Sequence, residues 1–527
     1  MLRRLTLAFV LSACAMSASF AQAKDLAPVS ELISAVNIPY KEFTLGNGLR
    51  VIVHEDRKAP IVAVSVWYNV GSKNEPAGKT GFAHLFEHLM FNGSEHAPGD
   101  FFEPLQQVGA TDFNGTTWFD RTNYFENVPT SALEVALFLE SDRMGHLLGA
   151  VTQKTLDNQR GVVQNEKRQG DNQPYGLVEY AQLAALLPAD HPYGHSTIGS
   201  MADLDKASLA DVKGWFVDHY GPNNAVLVLA GDIDVAHARS LVEKYFGDIP
   251  RGKQVEPVDV PIPTLAAPKI EVMKDRVATV RIYRNWIVPG LNDPDSVLLN
   301  IGMSVLGGLA SSRLDNILVR DEQLAVSVSA GVQDFAQLGM IEVTADVKPG
   351  IDPDGVAKRL DAIMADYIAK GPTADEVKRV ATQSVSGRIA GLEQVGGFSG
   401  KAVALAEGEL YSNDPDFYKK RLSALAAATP EAVTAAMQKW LRRPAYALRV
   451  IPGERDAYEE AASSKGSRTG VIAAPAFFHA PDQDGVGSAT TAQPMAAVDR
   501  STLPEVGPIP DLDFPTVETT TLSNGIK

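Results

Sequence analysis

The chain has 527 residues, 45% of them hydrophobic and 21% charged, with a formal net charge of −16. This is the composition of a folded protein with more than one core, and the negative balance argues against nucleic acid or an anionic membrane as the main partner. Cys14 is the single cysteine, which excludes an internal disulfide.

Residues 1–23 read as an export signal. Leu2-Arg3-Arg4 is a basic start, Leu5 to Leu11 a largely apolar run, and Ala21-Gln22-Ala23 a small-x-small cleavage site. The apolar run is too short for a transmembrane span. Leu11-Ser12-Ala13-Cys14 also matches a bacterial lipoprotein box, so two alternatives stand: cleavage at Ala21 or Ala23 and a soluble product, or cleavage before Cys14 and a lipid anchor on it. Either exports the chain, in a bacterium to the periplasm.

From Tyr40 the pattern is strand, turn, strand: FTLGNGLRVIVHE places Asn47-Gly48 between apolar stretches, and Ala59 to Gly71 alternates. The stretch Gly81 to Asn92, GFAHLFEHLMFN, then predicts a helix. His84 and His88 are one turn apart on it, so their imidazoles can converge on one ion. Neutral imidazole suits Zn²⁺, and Glu87 can reach a water held by that ion. A catalytic zinc takes three protein ligands, so a third must come from elsewhere. The H-x-x-E-H spacing inverts the H-E-x-x-H of other zinc hydrolases. The competing reading is a helix whose Leu85, Leu89 and Met90 enter a core while the histidines bond locally.

Phe101 to Val108 reads as a short helix, and Gly109 to Phe125 as two strands interrupted by a tight Asn114-Gly115. Ser131 to Leu148 is helical by its apolar period, with Asp142, Arg143 and His146 as packing and surface-network residues. Leu156 to Gln169 is the next helix and carries Glu166; His96 reads as a loop residue, and His191 and His195 as a surface turn. Helix Leu209 to Tyr220 and strand Asn223 to Gly231 follow. After the proline-rich connector Pro257 to Pro268 come a strand at Thr279 to Val288 and helices at Ser296 to Leu306, Val356 to Ala369, Thr373 to Leu392 and Thr429 to Leu441. A strand at Tyr446 to Ile451 closes that unit, which contains no second H-x-x-E-H. FPTVETTTLSNGIK then repeats the pattern of YKEFTLGNGLR, aligning Leu522 to Lys527 with Leu45 to Arg50. The expected division is a signal at 1–23, a metal-binding domain at 35–250, a second homologous domain at 269–455, a Pro/Ala/Ser/Gly-rich linker at 456–515 and the start of a further, truncated module at 516–527.

Gly81 to Asn92 resembles the active-site helix of the pitrilysin/insulysin zinc peptidases, the inverzincins of peptidase family M16, which include mitochondrial-processing-peptidase-like proteins. The likeness extends well past that helix. It implies that the third zinc ligand is a glutamate on a second helix, here Glu166 within RGVVQNEKRQ. Gln159 stands where the family often has an acidic residue. The family strand beside the cleft carries Asn-Ala where this chain has Asn114-Gly115, which implies a substrate role for both. The fold implied is α+β: tandem homologous domains, each a mixed, mainly antiparallel sheet with helices packed on one face, forming a half-clamshell. The activity implied is a zinc-dependent metalloendopeptidase acting on peptides or unfolded polypeptides in an enclosed chamber, with one Zn²⁺ per chain and Glu87 as general base. Its implied partners are the peptide substrate and a homologous C-terminal half-shell, in cis or in trans. Two alternatives are a catalytically incomplete half-shell or peptide-binding subunit, and a zinc hydrolase of a lactam or ester.

Overall fold

A computed structural model describes residues 29–455, 498–508 and 517–527; the segment expected to be an export signal, Cys14 and most of the expected linker lie outside the described residues. The chain builds two open sheets. The first has six strands in the order β1–β2–β6–β3–β5–β4, from β1 (Lys41–Thr44), β2 (Arg50–Glu55), β3 (Ile61–Tyr68), β4 (Thr111–Thr117), β5 (Thr122–Pro129) and β6 (Ala225–Gly231). Only β2 and β6 pair in parallel. The second sheet has five strands in the order β7–β11–β8–β10–β9, from β7 (Lys269–Asp275), β8 (Arg281–Pro289), β9 (Ala325–Asp334), β10 (Leu338–Val347) and β11 (Tyr446–Pro452), and its one parallel pair is β7 with β11.

Each sheet buries one face under helices of its own half. In the first, helices Phe82–Leu89, Leu133–Gly145, Leu209–His219 and Val235–Phe246 close over Val51, Val64, Val66, Tyr124 and Leu227. The opposite face is covered as well. Ala63, Trp67, Val226 and Val228 pack against helix Lys401–Ser412 from the second half. Reciprocally, Tyr283, Ile287, Leu338, Met340 and Tyr446 of the second sheet pack against helix Val178–Leu186 from the first half. The two halves therefore complete each other's cores. Double coverage explains why β6 reads AVLVLAG without a polar residue and is buried along its whole length.

The β4–β5 hairpin turns at Trp118 to Arg121, where the Trp118 amide donates to the Arg121 carbonyl. This corrects the expected interruption at Asn114-Gly115, which lies inside β4 opposite Phe125 and Tyr124. Gly115 is required there by a close approach: a Cβ on it would stand 2.6 Å from the ring of Phe91. The hairpin tip plugs into the second half. Phe119 stacks on Tyr193 at 4.8 Å between centroids and meets Phe335 edge-on, also at 4.8 Å. Buried Asp120 accepts hydrogen bonds from Lys73 Nζ (2.9 Å), the Ala336 amide (2.9 Å) and the Tyr193 hydroxyl.

One expected surface group, His191, is interior, and Arg143 packs inside as well. His191 is buried, with Nε2 bonded to the Pro261 carbonyl and Nδ1 accepting from the Tyr193 amide. Arg143 is buried between Phe101 and Tyr124, each ring 3.9 Å from its guanidinium, and pairs with Glu140. Residues 498–508 lie against the first half, where Arg500 is buried and donates to Ser141, Asp142 and the Tyr245 carbonyl. The sequence repeat is also a repeat of backbone form. Leu45 and Gly48 donate to the carbonyls of Leu49 and Leu45, and Leu522 and Gly525 donate to those of Ile526 and Leu522, with Gly48 and Gly525 at φ +94° and +87°. Among the described residues, no helix is long and apolar enough to cross a membrane.

Because Phe119 is 2% exposed and joins the halves, Phe119→Ala is expected to destabilise the protein by about 3–5 kcal/mol. A fall in the urea midpoint relative to wild type measures it.

Candidate active site

The helix that carries H-x-x-E-H spans Phe82–Leu89 and begins at Gly81, whose φ is +92°. A Cβ on Gly81 would stand 2.7 Å from the Ile198 carbonyl oxygen, so the residue is fixed as glycine and has no side chain with which to cap the helix. Glu75 caps it instead. Its carboxylate accepts from the Gly81 and Ala83 amides, both at 2.8 Å, placing a negative group at the positive end of the helix dipole. Burial pushes the Glu75 carboxyl well above its ordinary value, and those two donors oppose the shift. Thr80, just before the helix, is held at its amide and hydroxyl by Asp203.

His84 Nε2 and His88 Nε2 stand 3.8 and 3.4 Å from Glu166 Oε2. One ligand atom from each of the three residues lies within 4.8 Å of the others, and among the described residues no other group of His, Cys, Asp or Glu has this geometry. Glu166 rides on helix Gln153–Asn172, which starts at a Thr152 cap. The other end of that helix is tied to the second half: Arg455 donates to the Asp171 and Gln173 carbonyls and to the Asp275 carboxylate.

The electrostatics favour cation binding. Burial, with His88 beside it, takes the His84 imidazole down to about 3, so it is neutral and offers a lone pair. Burial also pulls His88 down, but the hydrogen bond and charge of Glu166 raise it above its ordinary value. Burial raises Glu166, while the hydrogen bond and charge of His88 hold it lower than usual. Gln159 is buried beside His88 and donates to Asn92 Oδ1 at 3.2 Å and to Asn158 Oδ1 at 2.9 Å. Asn92 in turn donates to the His88 carbonyl at 2.9 Å, so a neutral amide network stands where the family often has a carboxylate.

Glu87 is buried to 6% exposure beside the histidine pair. The Thr117 hydroxyl, at the end of β4, donates to its Oε2. Burial pushes the Glu87 carboxyl up, and His88, Thr117 and Arg121 pull it partly back. β4 is the free edge of the first sheet and ends at Glu87. Asn114 is exposed on that edge, with Oδ1 accepting from the Gly115 amide at 2.8 Å, while Gly115 is buried against Phe91 and Tyr124. The remaining predicted histidines stay apart from the cluster: His96 bonds Asp142, and His195 lies 3.6 Å from Glu75.

Comparison with known proteins agrees with this geometry. Residues 50–199 match the model of the insulinase family, peptidase family M16, and residues 206–384 match that of the peptidase M16 inactive domain. An uncharacterised zinc protease of Mycobacterium leprae is 30% identical over 353 residues, covering 66% of this chain and 78% of the relative. The chain belongs to peptidase family M16. The zinc protease PqqE of Helicobacter pylori is 29% identical over 364 residues, covering 67% of this chain and 80% of the relative. The crystal structure of the first half of the periplasmic protease PqqL from Escherichia coli has the same fold, with a TM-score of 0.65 at 21% identity, covering 80% of this chain and 93% of that one. The M16 match to an inactive domain falls on the part of the chain without H-x-x-E-H.

Glu75 was not legible from the motif, which begins six residues later; the signal was an acidic residue upstream of a helix that starts on glycine. Glu75→Ala orphans two buried N–H groups and is expected to cost about 1–3 kcal/mol for each. Equilibrium urea unfolding of the metal-free protein measures this.

Proposed function

We propose that this M16 protein hydrolyses peptide bonds with a zinc ion held by His84, His88 and Glu166 and with Glu87 as general base. The observation that carries the reading is the convergence of two imidazoles and one carboxylate beside a separately held carboxylate. That donor set fits a catalytic zinc, which takes three protein ligands of these types and keeps one position open. When bound, the ion supplies a Lewis acid and a more acidic water.

The chain's own residues do the rest. Thr117 occupies Glu87 Oε2, so Oε1 is the atom that takes a proton from the attacking water and delivers it to the leaving amine nitrogen. Burial raises the basicity of that carboxylate above that of an exposed glutamate. Glu75 holds the helix that presents both histidines. An extended peptide adds its backbone to the edge strand β4, where the exposed Asn114 offers a polar side chain and Gly115 lets the strand close on the Phe91 ring beneath it. Only an unfolded segment can present such an edge, so the substrates are peptides or unfolded polypeptides.

The likeness to the first half of a longer periplasmic protease, and the turn at Leu522 to Lys527 that repeats Leu45 to Arg50, support a homologous half-shell as partner, in cis or in trans, closing a chamber over β4. Export through residues 1–23 fits the same compartment, as a soluble protein or one acylated at Cys14.

Elemental analysis of the purified protein is expected to find about one zinc per chain, removed by chelator and poorly retained by Glu166→Ala. A metal-free protein after zinc loading would overturn the assignment. Glu87→Gln, by contrast, keeps its zinc and its fold while peptide hydrolysis falls by a factor of order 10² or more. Wild-type turnover in that zinc-loaded variant would remove Glu87 from the reaction.

A further inference from the structure

On helix Gln153–Asn172, Asp171 follows Glu166 by about 7.5 Å along the axis, at a rise of 1.5 Å per residue. The first turn is capped by Thr152, and the middle is tied down within the first half, where Arg160 donates to the carbonyls of Leu204 and Ala207 and Gln164 donates to Asp205. The last turn is held differently. Carbonyls at a helix end have no partner further along the helix, and here they meet one guanidinium: Arg455 donates to the carbonyls of Asp171 and Gln173, the latter at 2.9 Å. A cation at this end also complements the helix dipole.

Arg455 belongs to the second half, just after β11, and its counter-ion Asp275 ends β7 with a side chain that is 1% exposed. Arg455 donates to that carboxylate from Nε at 2.8 Å and lies 2.6 Å from it at Nη2. The same carboxylate accepts from the Tyr175 and Arg276 amides, both at 2.7 Å, and the Asp275 carbonyl accepts from the Gly453 amide at 3.0 Å. Burial opposes ionisation of Asp275, but the Tyr175 amide, Arg455 and the Arg276 amide outweigh it and hold the carboxyl below its ordinary value. The turn that leaves the helix is strained to reach this point. Tyr175 has φ +65°, which residues with a Cβ rarely adopt, and its ring lies 3.9 Å from the Arg281 guanidinium. One buried carboxylate therefore gathers the turn after the Glu166 helix, the end of β7 and the segment that follows β11.

We propose that Arg455 is a positioning residue for the metal site: held by Asp275, it fixes the end of the Glu166 helix and makes the zinc affinity of the first half depend on the second. The inference rests on the reading of His84, His88 and Glu166 as the zinc ligands. Both histidines are set by their own helix and by Glu75, so Glu166 is the ligand whose place depends on how a second helix is seated. Residues that orient a ligand without touching the metal are worth about 10- to 100-fold in metal affinity. The coupling is a free energy shared by two sites and runs both ways: zinc binding tightens the latch at Asp275 by the factor by which the latch tightens zinc.

Competition with a chromophoric chelator gives the zinc dissociation constant of the full chain and its variants. Arg455→Met is expected to weaken zinc binding about 10-fold, and Arg455→Lys, which keeps the charge but cannot serve Asp171, Gln173 and Asp275 together, to weaken it less. Arg449→Met, which removes a second-half arginine paired with Asp354 away from the latch, leaves zinc binding unchanged. In the wild type, zinc loading is expected to slow hydrogen exchange at the Tyr175 and Gly453 amides by about 10-fold, a readout that needs neither turnover nor a variant. Equal zinc affinity in the wild type and a folded Arg455→Met protein overturns the proposal, and so does exchange at those two amides that zinc leaves unchanged. Failure of the underlying zinc reading is visible separately, as a wild type that takes up no zinc or a Glu166→Ala variant that holds it equally well.

Discussion

The structure depends on a buried carboxylate at the start of one short helix. Helix Phe82–Leu89 has eight residues, too few to be stable alone, and its N-cap is a glycine that close packing forbids from carrying a side chain. Glu75 supplies the missing cap from outside the helix, at two amides of its first turn. His84 stands one residue after the second of those amides. The position of His84, the proposed ligand, is thus set by buried hydrogen bonds to the Glu75 carboxyl group.

The second half of the chain carries no ligand but fixes the site from two directions. Arg455 clamps the end of the Glu166 helix to Asp275, so the distance between Glu166 and the histidine pair is set across the boundary between the halves. Phe119 and Asp120, at the tip of the β4–β5 hairpin, are locked among Tyr193, Phe335 and the Ala336 amide. Thr117, which orients Glu87, precedes that tip by two residues and inherits its rigidity. The domain matched as inactive thereby helps to position the residues of the first half's candidate site, and the helices exchanged between the sheets give the two halves shared cores.

What the sequence made legible follows the range of the interactions. His84, Glu87 and His88 share one helical turn, so their spacing alone carries the chemistry. Glu166 came within reach only through family resemblance, because its approach to His88 is set by packing of two helices and leaves no local trace. Asn114-Gly115 has the composition of a turn, yet the Phe91 ring needs the glycine's empty space inside a strand, and that contact outweighs the dipeptide's preference. Helices Lys401–Ser412 and Phe417–Ala427 went unassigned. The first is buried along much of its surface between the sheet and its neighbours, which erases the one-sided apolar stripe by which a surface helix is recognised. His191 sits among proline and glycine residues, which suggests a surface turn, but its two ring nitrogens bridge a distant carbonyl and a local amide in the interior.

An exposed edge strand is a hazard, since its unpaired amides and carbonyls invite other chains to pair with it. β4 is such an edge, and it is blunted by a bulge, by Asp112 and by polar residues at Thr111, Asn114 and Thr116. These devices do not close the edge; they leave a short stretch between the bulge and Thr117 where one extended peptide can pair in register. Protection against self-association is thus a matter of limiting how much unpaired backbone the edge offers, which is the same backbone that the proposed peptide pairing needs.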